Sequence, residues 1–348
     1  MAYATFNKPS LYFNTKLYSG DGGTQSVTGV GFQPDWSWLK CRSTAYHHRL
    51  FDVVRGAGKN LRSDTTNAEQ TIDEGITAFN SDGFSVKQGS DLEYNATGQT
   101  YVAWNWKANG AASNNNNNDG QQYSTVSVNT TAGFSIVSYT GTGSNTNYGH
   151  GLGVAPKMII IKNRSIYENW ATYHASLGNA NNVLLNGTNA SVSTSDYNST
   201  SPTSSVFYVG SGSGTNGNGN NMIAYCFAEK KGFSKFGSYT GNGNSDGVFV
   251  YTGFKPAFII FKRTSGTGNW QLIDNKRIGF NVDNYTLYPN STIVDQDEND
   301  ADILSNGFKL RGSGTDGNGS GSTYIYMAFA EEPLVANVGT NGVPATAR

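Results

Sequence analysis

The sequence predicts an all-β protein made of three tandem β-sandwich, jelly-roll-like repeats of about 100 residues, and three observations predict it. A block of motifs recurs at nearly fixed spacing: Tyr18-Ser-Gly-Asp-Gly, Tyr139-Thr-Gly-Thr-Gly and Tyr239-Thr-Gly-Asn-Gly. Each is followed 16 or 17 residues later by a proline step, at Pro34, Pro156 and Pro256, and 72, 71 or 73 residues after that by an aromatic closing segment at Trp106, Phe227 and Phe329. Insertions scramble chance similarity, so spacing held this tightly means one fold written three times. Units of this length exceed propeller blades and solenoid repeats and suit a complete sandwich. Composition agrees: charged residues are 14% of the chain, against roughly 25% in ordinary soluble proteins, with 43 Gly, 20 Tyr and 18 Phe and no helix-forming windows.

The copies set the boundaries. The first spans 1–108 with a short lead, the second 123–230 and the third 231–332. Between the first two lies the polar run 109–122, including Asn114-Asn-Asn-Asn-Asn118, read as a linker or long exposed loop, and a Gly/Pro/Ala tail fills 333–348.

Within each copy a glycine turn and a proline lead into a strand that ends in lysine, at Lys40, Lys162 and Lys262. Proline cannot donate to a sheet ladder, so it marks the strand entrance. Met158-Ile-Ile-Ile161 and Phe258-Ile-Ile-Phe261 are apolar throughout and predict strands covered on both faces, whereas Trp36-Ser-Trp38 alternates and predicts a more open first copy. Further strands are expected around Leu50-Phe51, Thr172-Tyr173 and Leu272-Ile273, then at Phe84-Ser-Val86, Phe207-Tyr-Val209 and Phe308-Lys-Leu310.

The net charge of −1 removes the electrostatic basis for nucleic-acid binding and disfavours acidic membrane surfaces. No apolar run is long enough for a membrane span, and the start lacks the pattern of a signal peptide. The two cysteines, Cys41 and Cys226, occupy non-equivalent places and are expected as isolated buried thiols.

Chemistry-bearing constellations are sparse. Formal GxGxxG tracts at Gly212/Gly214/Gly217 and Gly312/Gly314/Gly317 precede a strand, where a dinucleotide site needs a helix, so a Gly/Ser/Asn hairpin is expected. Their residues Asn216, Asn218, Asn220, Asp316 and Asn318 are the loop-tip candidates for ligand contact, since exposed loops on rigid scaffolds carry recognition. Copy one has no such tract, which makes it the candidate for docking to a larger assembly. Asp52, His174 and Asp274 each follow their proline by 18 residues. The functional reading gathers them near a pseudo-threefold axis to hold a cation; the plainer reading, which is favoured, satisfies each locally at a strand end. The acidic run Asp295–Asp302 lacks the glycine and closing glutamate of a calcium loop and is read as solvated. His47 and His48 are read as a solvated pair, and no catalytic motif, metal site or cofactor site is expected.

Extended phrases carry a resemblance. Tyr101-Val-Ala-Trp-Asn-Trp-Lys-Ala108, Gly133-Phe-Ser-Ile-Val-Ser-Tyr-Thr-Gly-Thr-Gly143, Gly151-Leu-Gly-Val-Ala-Pro-Lys-Met-Ile-Ile-Ile-Lys-Asn-Arg164, Ile223-Ala-Tyr-Cys-Phe-Ala-Glu229 and Phe233-Ser-Lys-Phe-Gly-Ser-Tyr-Thr-Gly-Asn-Gly243 resemble virion-associated structural proteins of marine and cyanobacterial tailed bacteriophages. The resemblance implies a non-enzymatic virion protein, assembled in the host cytoplasm and exposed on the particle as a tail-fibre or host-attachment component. It implies other virion proteins as partners, in multiple copies, and a host surface glycan or receptor as a further one. A head (capsid) decoration protein and a glycan-degrading depolymerase are the alternatives.

Overall fold

The computed structural model describes residues 6, 8–111, 114–277, 281, 285–298, 300–338 and 341–344. It is all-β, built from antiparallel sheets. Three times the chain lays down the same four-stranded inner sheet. In the first copy the order is Phe13–Ser19, Thr100–Trp106, Trp36–Cys41, Arg49–Asp52; in the third it is Ser234–Thr240, Thr323–Pro333, Phe254–Arg263, Trp270–Asp274. In the second the matching strands, Phe134–Thr140, Asn221–Phe227, Met158–Asn163 and Trp170–His174, are extended at both edges into eight. The last strand of each copy therefore runs between its first and its proline-led strand, which is why the closing aromatics keep their distance from the proline.

Outer sheets accompany the inner ones: Thr24–Thr28, Gly83–Lys87 and Gly75–Asn80 in copy one, and Phe249–Tyr251, Gly307–Leu310 and Ala301–Leu304 in copy three. Copy two carries only Thr146–Gly149 paired with Val206–Val209 there. Strand alternation sends successive side chains to opposite faces, and each inner sheet uses both. One face packs on its own outer sheet: Leu39, Phe51 and Ala103 meet Val27, Ile76, Phe84 and Val86 in copy one, and Ile159, Ile161 and Ala224 meet Phe207 and Val209 in copy two. The opposite faces of all three inner sheets meet in one shared core, with Trp36, Trp38, Trp104 and Trp106 from copy one, Phe134, Met158, Ile160, Tyr225 and Phe227 from copy two, and Phe258, Ile260, Met327 and Phe329 from copy three. Trp36 stacks on Tyr225 at 4.4 Å, and Phe13 stacks on Phe329 at 5.2 Å. The lead of copy one joins in, Phe6 stacking on Phe233 at 4.5 Å.

Three expectations are corrected. Copy one is not more open, because every residue of Trp36–Cys41 is buried. The polar residue of its alternation, Ser37, donates to Asn105 at 2.8 Å inside the structure. The run 109–122 is not a free linker: Asn114–Asn117 pairs with Ser124–Asn129 at the edge of the second inner sheet. In the glycine-rich tract of copy two Ser213–Asn216 makes one short helical turn instead of a plain hairpin, although a strand follows as expected. The tail supplies a hairpin, Val335–Val338 with Asn341–Pro344, and residues 345–348 lie outside the described residues. Cys41 and Cys226 are both free and buried, and no helix is long and apolar enough to cross a membrane among the described residues.

Candidate functional site

The recurring polar residues fall at the junctions between copies, and the junctions form a cycle: copy one on two, two on three, three on one. Asp52, His174 and Asp274 occupy one junction each. Asp52 accepts from the Tyr225 hydroxyl of copy two (2.7 Å), the His174 Nε2–H donates to the Tyr326 carbonyl of copy three (3.1 Å), and Asp274 accepts from the Trp104 indole N–H of copy one (2.9 Å). Each group is thus spent on its own junction, so the alternative in which the three gather to hold a cation is not met, and among the described residues no three His, Cys, Asp or Glu side chains gather to hold a metal. Each is satisfied at its strand end, as the plainer reading expects, but by a partner from the next copy.

Locally, Asp52 and Asp274 cap the turn that follows their strands, accepting from the backbone N–H groups of Val54 and Arg55, and of Lys276 and Arg277. Each also pairs with the arginine three residues on, both partners fully buried. Burial works to raise the Asp274 carboxyl, but the Arg277 guanidinium and the backbone donors outweigh it and hold it below the usual carboxylate range. In copy two the same positions are His174 and Leu177. Burial pushes His174 down to about 4, partly opposed by its bond to the Tyr326 carbonyl, so this junction carries a neutral imidazole at neutral pH.

Fixed offsets from the prolines mark further junction residues that carry no motif of their own. Eight and 21 residues after the prolines stand Arg42, Arg164, Thr264 and Arg55, Leu177, Arg277; the acidic partners Glu69 and Asp295 match Ser191 by their backbone contacts. At the junction of copies one and two, Glu69 lies between Arg55 (3.2 Å) and Arg164 (2.8 Å); at that of three and one, Asp295 lies between Arg277 (2.8 Å) and Arg42 (2.6 Å). Asp295 is therefore corrected from solvated loop to junction clamp. Backbone contacts repeat the cycle: Glu69, Ser191 and Asp295 N–H donate to the carbonyls of Arg164, Thr264 and Arg42.

The strand-end lysines are fully buried. Lys40 donates to the Thr292 carbonyl (3.2 Å), Lys162 to Thr66 (2.9 Å) and Lys262 to Thr188 (3.2 Å), each across a junction, and each also donates to a carbonyl of its own copy. Burial pushes all three down to about 8. Beside them Trp170 and Trp270 donate their indole N–H to the carbonyls of Arg62 and Leu184 in the neighbouring copy. His48 stands in the tryptophan's place in copy one, fully buried, so the solvated-pair reading fails for it. Burial, with Lys40 adding, holds it well below the ordinary histidine range. Its neighbour His47, half-buried, pairs with Asp64 at 2.6 Å.

The loop-tip candidates divide. Asn216 and Asn318 are buried and face inward, so they are corrected from ligand contacts to staples. Asn216 donates to the carbonyls of Ser144 (2.7 Å) and Gly210 (2.8 Å) and accepts from the Thr142 N–H (2.8 Å); Asn318 does the same with Asn244, Gly312 and Asn242. These bonds tie the Tyr-x-Gly-x-Gly turn to the glycine-rich tract, and the tyrosines add theirs, Tyr139 to Thr215 and Tyr239 to Gly317. Copy one keeps the device without the glycines: Asn95 bonds Asp21 and Gly23, and Tyr18 bonds the Tyr94 carbonyl. Asp316 accepts from Asn269 at 3.0 Å, and Asn220 is half-buried with its carbonyl accepting from Gly141. Asn218 is exposed.

At the junction of copies two and three, where Leu177, Ser191 and Thr264 replace the ionic set, a cleft of about 310 Å³ opens. Ser176 and Leu177 form one wall; Ser238, Thr240, Thr264 and Thr323 form the other. A second cleft, of about 320 Å³, lies beside the Glu229–Lys235 pair and the exposed Tyr251. No curated protein and no solved structure shows a significant match to the chain. A family model described as a domain of unknown function, DUF7483, matches residues 8–333, spanning all three copies and every junction between them, and the chain belongs to that family.

Proposed function

We propose that the protein is a non-enzymatic structural component of a tailed-bacteriophage particle, exposed on the virion as part of the tail-fibre or host-attachment apparatus. The proposal includes the finer architecture, three jelly-roll-like sandwich repeats about one pseudo-threefold axis. The observation that carries it is the cycle of matching contacts: Asp52 to Tyr225, His174 to Tyr326, Asp274 to Trp104. One polypeptide that presents three like faces around an axis suits a threefold-symmetric mount, such as the end of a trimeric fibre, while leaving the three faces free to differ. The use of buried Asp, Arg, His and Lys as junction contacts supports a scaffold role over a catalytic one. The phrase-level resemblance to virion-associated proteins supports the location.

The test is antibody labelling of intact particles, imaged by electron microscopy. Label at the tail supports the proposal. Label on the head replaces it with a capsid decoration role, for which the same threefold argument holds. Particles without label, from a lysate that contains the protein, overturn both. Incubation with host surface polysaccharide checks the enzymatic alternative, and release of oligosaccharide would refute the non-enzymatic assignment.

A further inference from the structure

We infer that the cleft between copies two and three is a binding site for an uncharged polyhydroxylated ligand, a mono- or disaccharide unit. The inference stands on this junction alone and survives if the particle assignment fails.

On copy two the equivalent wall, Ser138, Thr140 and Asn221, lines a cleft of only about 160 Å³, and the other two junctions show what occupies the matching space. Between copies one and two, Arg55, Glu69 and Arg164 fill it, and Arg164 reaches the Ser138 hydroxyl at 3.3 Å. Between copies three and one, Arg277, Asp295 and Arg42 do so. Between copies two and three the matching residues are Leu177, Ser191 and Thr264, all three shorter and uncharged, and the space is open. The backbone does not differ to compensate, because the Ser191 N–H still reaches the Thr264 carbonyl at 3.0 Å. The wider opening goes with the shorter side chains, of which Leu177 and Thr264 line the cleft directly.

The chemistry of the walls selects the ligand. Among the described residues lining the cleft none is charged, so an ionic ligand would shed hydration without a counter-charge. Ser176, Ser238, Thr240 and Thr323 are exposed there. Ser238 and Thr240 alternate with Tyr239 along one strand and so stand on the same side, opposite the buried tyrosine ring. Hydroxyls donate and accept alike, as sugar hydroxyls do, and Leu177 offers an apolar patch for the C–H face of a ring. A volume of about 310 Å³ is at the small end of ligand sites, which limits the ligand to one or two rings.

The experiment uses the intact chain, with saturation-transfer NMR against glucose, galactose, mannose, maltose, lactose and cellobiose and a printed glycan array carrying neutral and acidic structures. The expected result is binding of at least one neutral saccharide and weaker binding of its sialylated or sulfated forms. The triple variant Leu177→Arg, Ser191→Glu, Thr264→Arg rebuilds the set used at the other junctions; it is expected to keep its melting temperature and lose binding at least tenfold. The pair Ser238→Ala, Thr240→Ala, on exposed positions, is expected to lose severalfold and stands in if the triple variant fails to fold. No neutral saccharide bound, preference for acidic glycans, or unchanged affinity in the folded variants overturns the inference.

Discussion

Replacing one buried lysine should change how stability depends on pH, by an amount that follows from how far burial lowers its ammonium. Lys262 is fully buried, and burial takes its ammonium from the ordinary 10.5 down to about 8. Between those two values the unfolded chain holds more protons than the folded one, so stability rises with pH there; below about 8 the full penalty applies. For one such lysine the penalty is about 3 kcal/mol at pH 7.5 and about 1 kcal/mol at pH 9.5. Raising the pH across that interval therefore stabilises the parent by about 2 kcal/mol per lysine, and Lys40 and Lys162 act in the same sense. Lys262→Met should lose its 2 kcal/mol share of that rise, read as the difference in urea-unfolding free energies at the two pH values. Buried tyrosines such as Tyr139 and Tyr239 are pushed well above their ordinary value by burial, so they oppose stability only as the unfolded chain ionises above about pH 10. They are unchanged in the variant and cancel in the comparison. Equal pH slopes for parent and variant would show that the Lys262 ammonium is hydrated in the folded protein and would sink the reasoning.

Other substitutions separate the roles assigned above. Asn216→Ala should cost about 1–3 kcal/mol in urea unfolding, since it removes three bonds of a buried amide and strands the buried Gly210 carbonyl, whereas Asn218→Ala, on an exposed side chain, should stay within about 0.5 kcal/mol. Asp274→Ala leaves the Arg277 guanidinium buried without its nearest carboxylate and the Trp104 indole without an acceptor; the expected loss is about 3–5 kcal/mol. A chain of residues 123–230 alone should bind a hydrophobic dye and lack a cooperative melt, because it exposes Phe134, Ile160, Tyr225 and Phe227 from the shared core. A sharp, dye-free transition for that fragment would refute the shared core.

The strands were legible because their signals are local. Met158-Ile-Ile-Ile161 is apolar at every position, which demands a cover on each face, and the structure supplies an outer sheet on one and the neighbouring copies on the other. The alternation of Trp36-Ser-Trp38 misled because Ser37 is satisfied by Asn105, 68 residues on in sequence, and polar residues satisfied at long range read as exposed. The burial of the strand-end lysines is hidden from the sequence for the same reason. A long side chain at a strand terminus ordinarily snorkels to water; these are buried because Thr66, Thr188 and Thr292 of a neighbouring copy bring carbonyls onto the ammonium. Asn216 and Asn318 sat in tracts whose glycines suggest a mobile tip, and their partners come from a turn about 74 residues earlier. The fixed offsets held the remaining signal. Recurrence at positions 8 and 21 after each proline marks the junction residues even though it does not say which copy they face.

That same recurrence explains why one junction was free to diverge. The copies are held together mainly by the aromatic and aliphatic core common to all three inner sheets, to which every copy contributes several fully buried rings. An Arg–carboxylate–Arg set at the rim sheds most of its Coulombic gain in desolvation and adds little net stability. Its complete loss between copies two and three therefore costs the fold little, provided that no member remains behind as a lone buried charge. The sequence meets this condition: both arginines and the carboxylate are replaced together by Leu177, Thr264 and Ser191, and the neighbouring aspartate by His174, held neutral down to about pH 4. Concerted neutralisation of four positions at one junction, with the backbone contacts kept, is what opening a cleft without loosening the assembly requires.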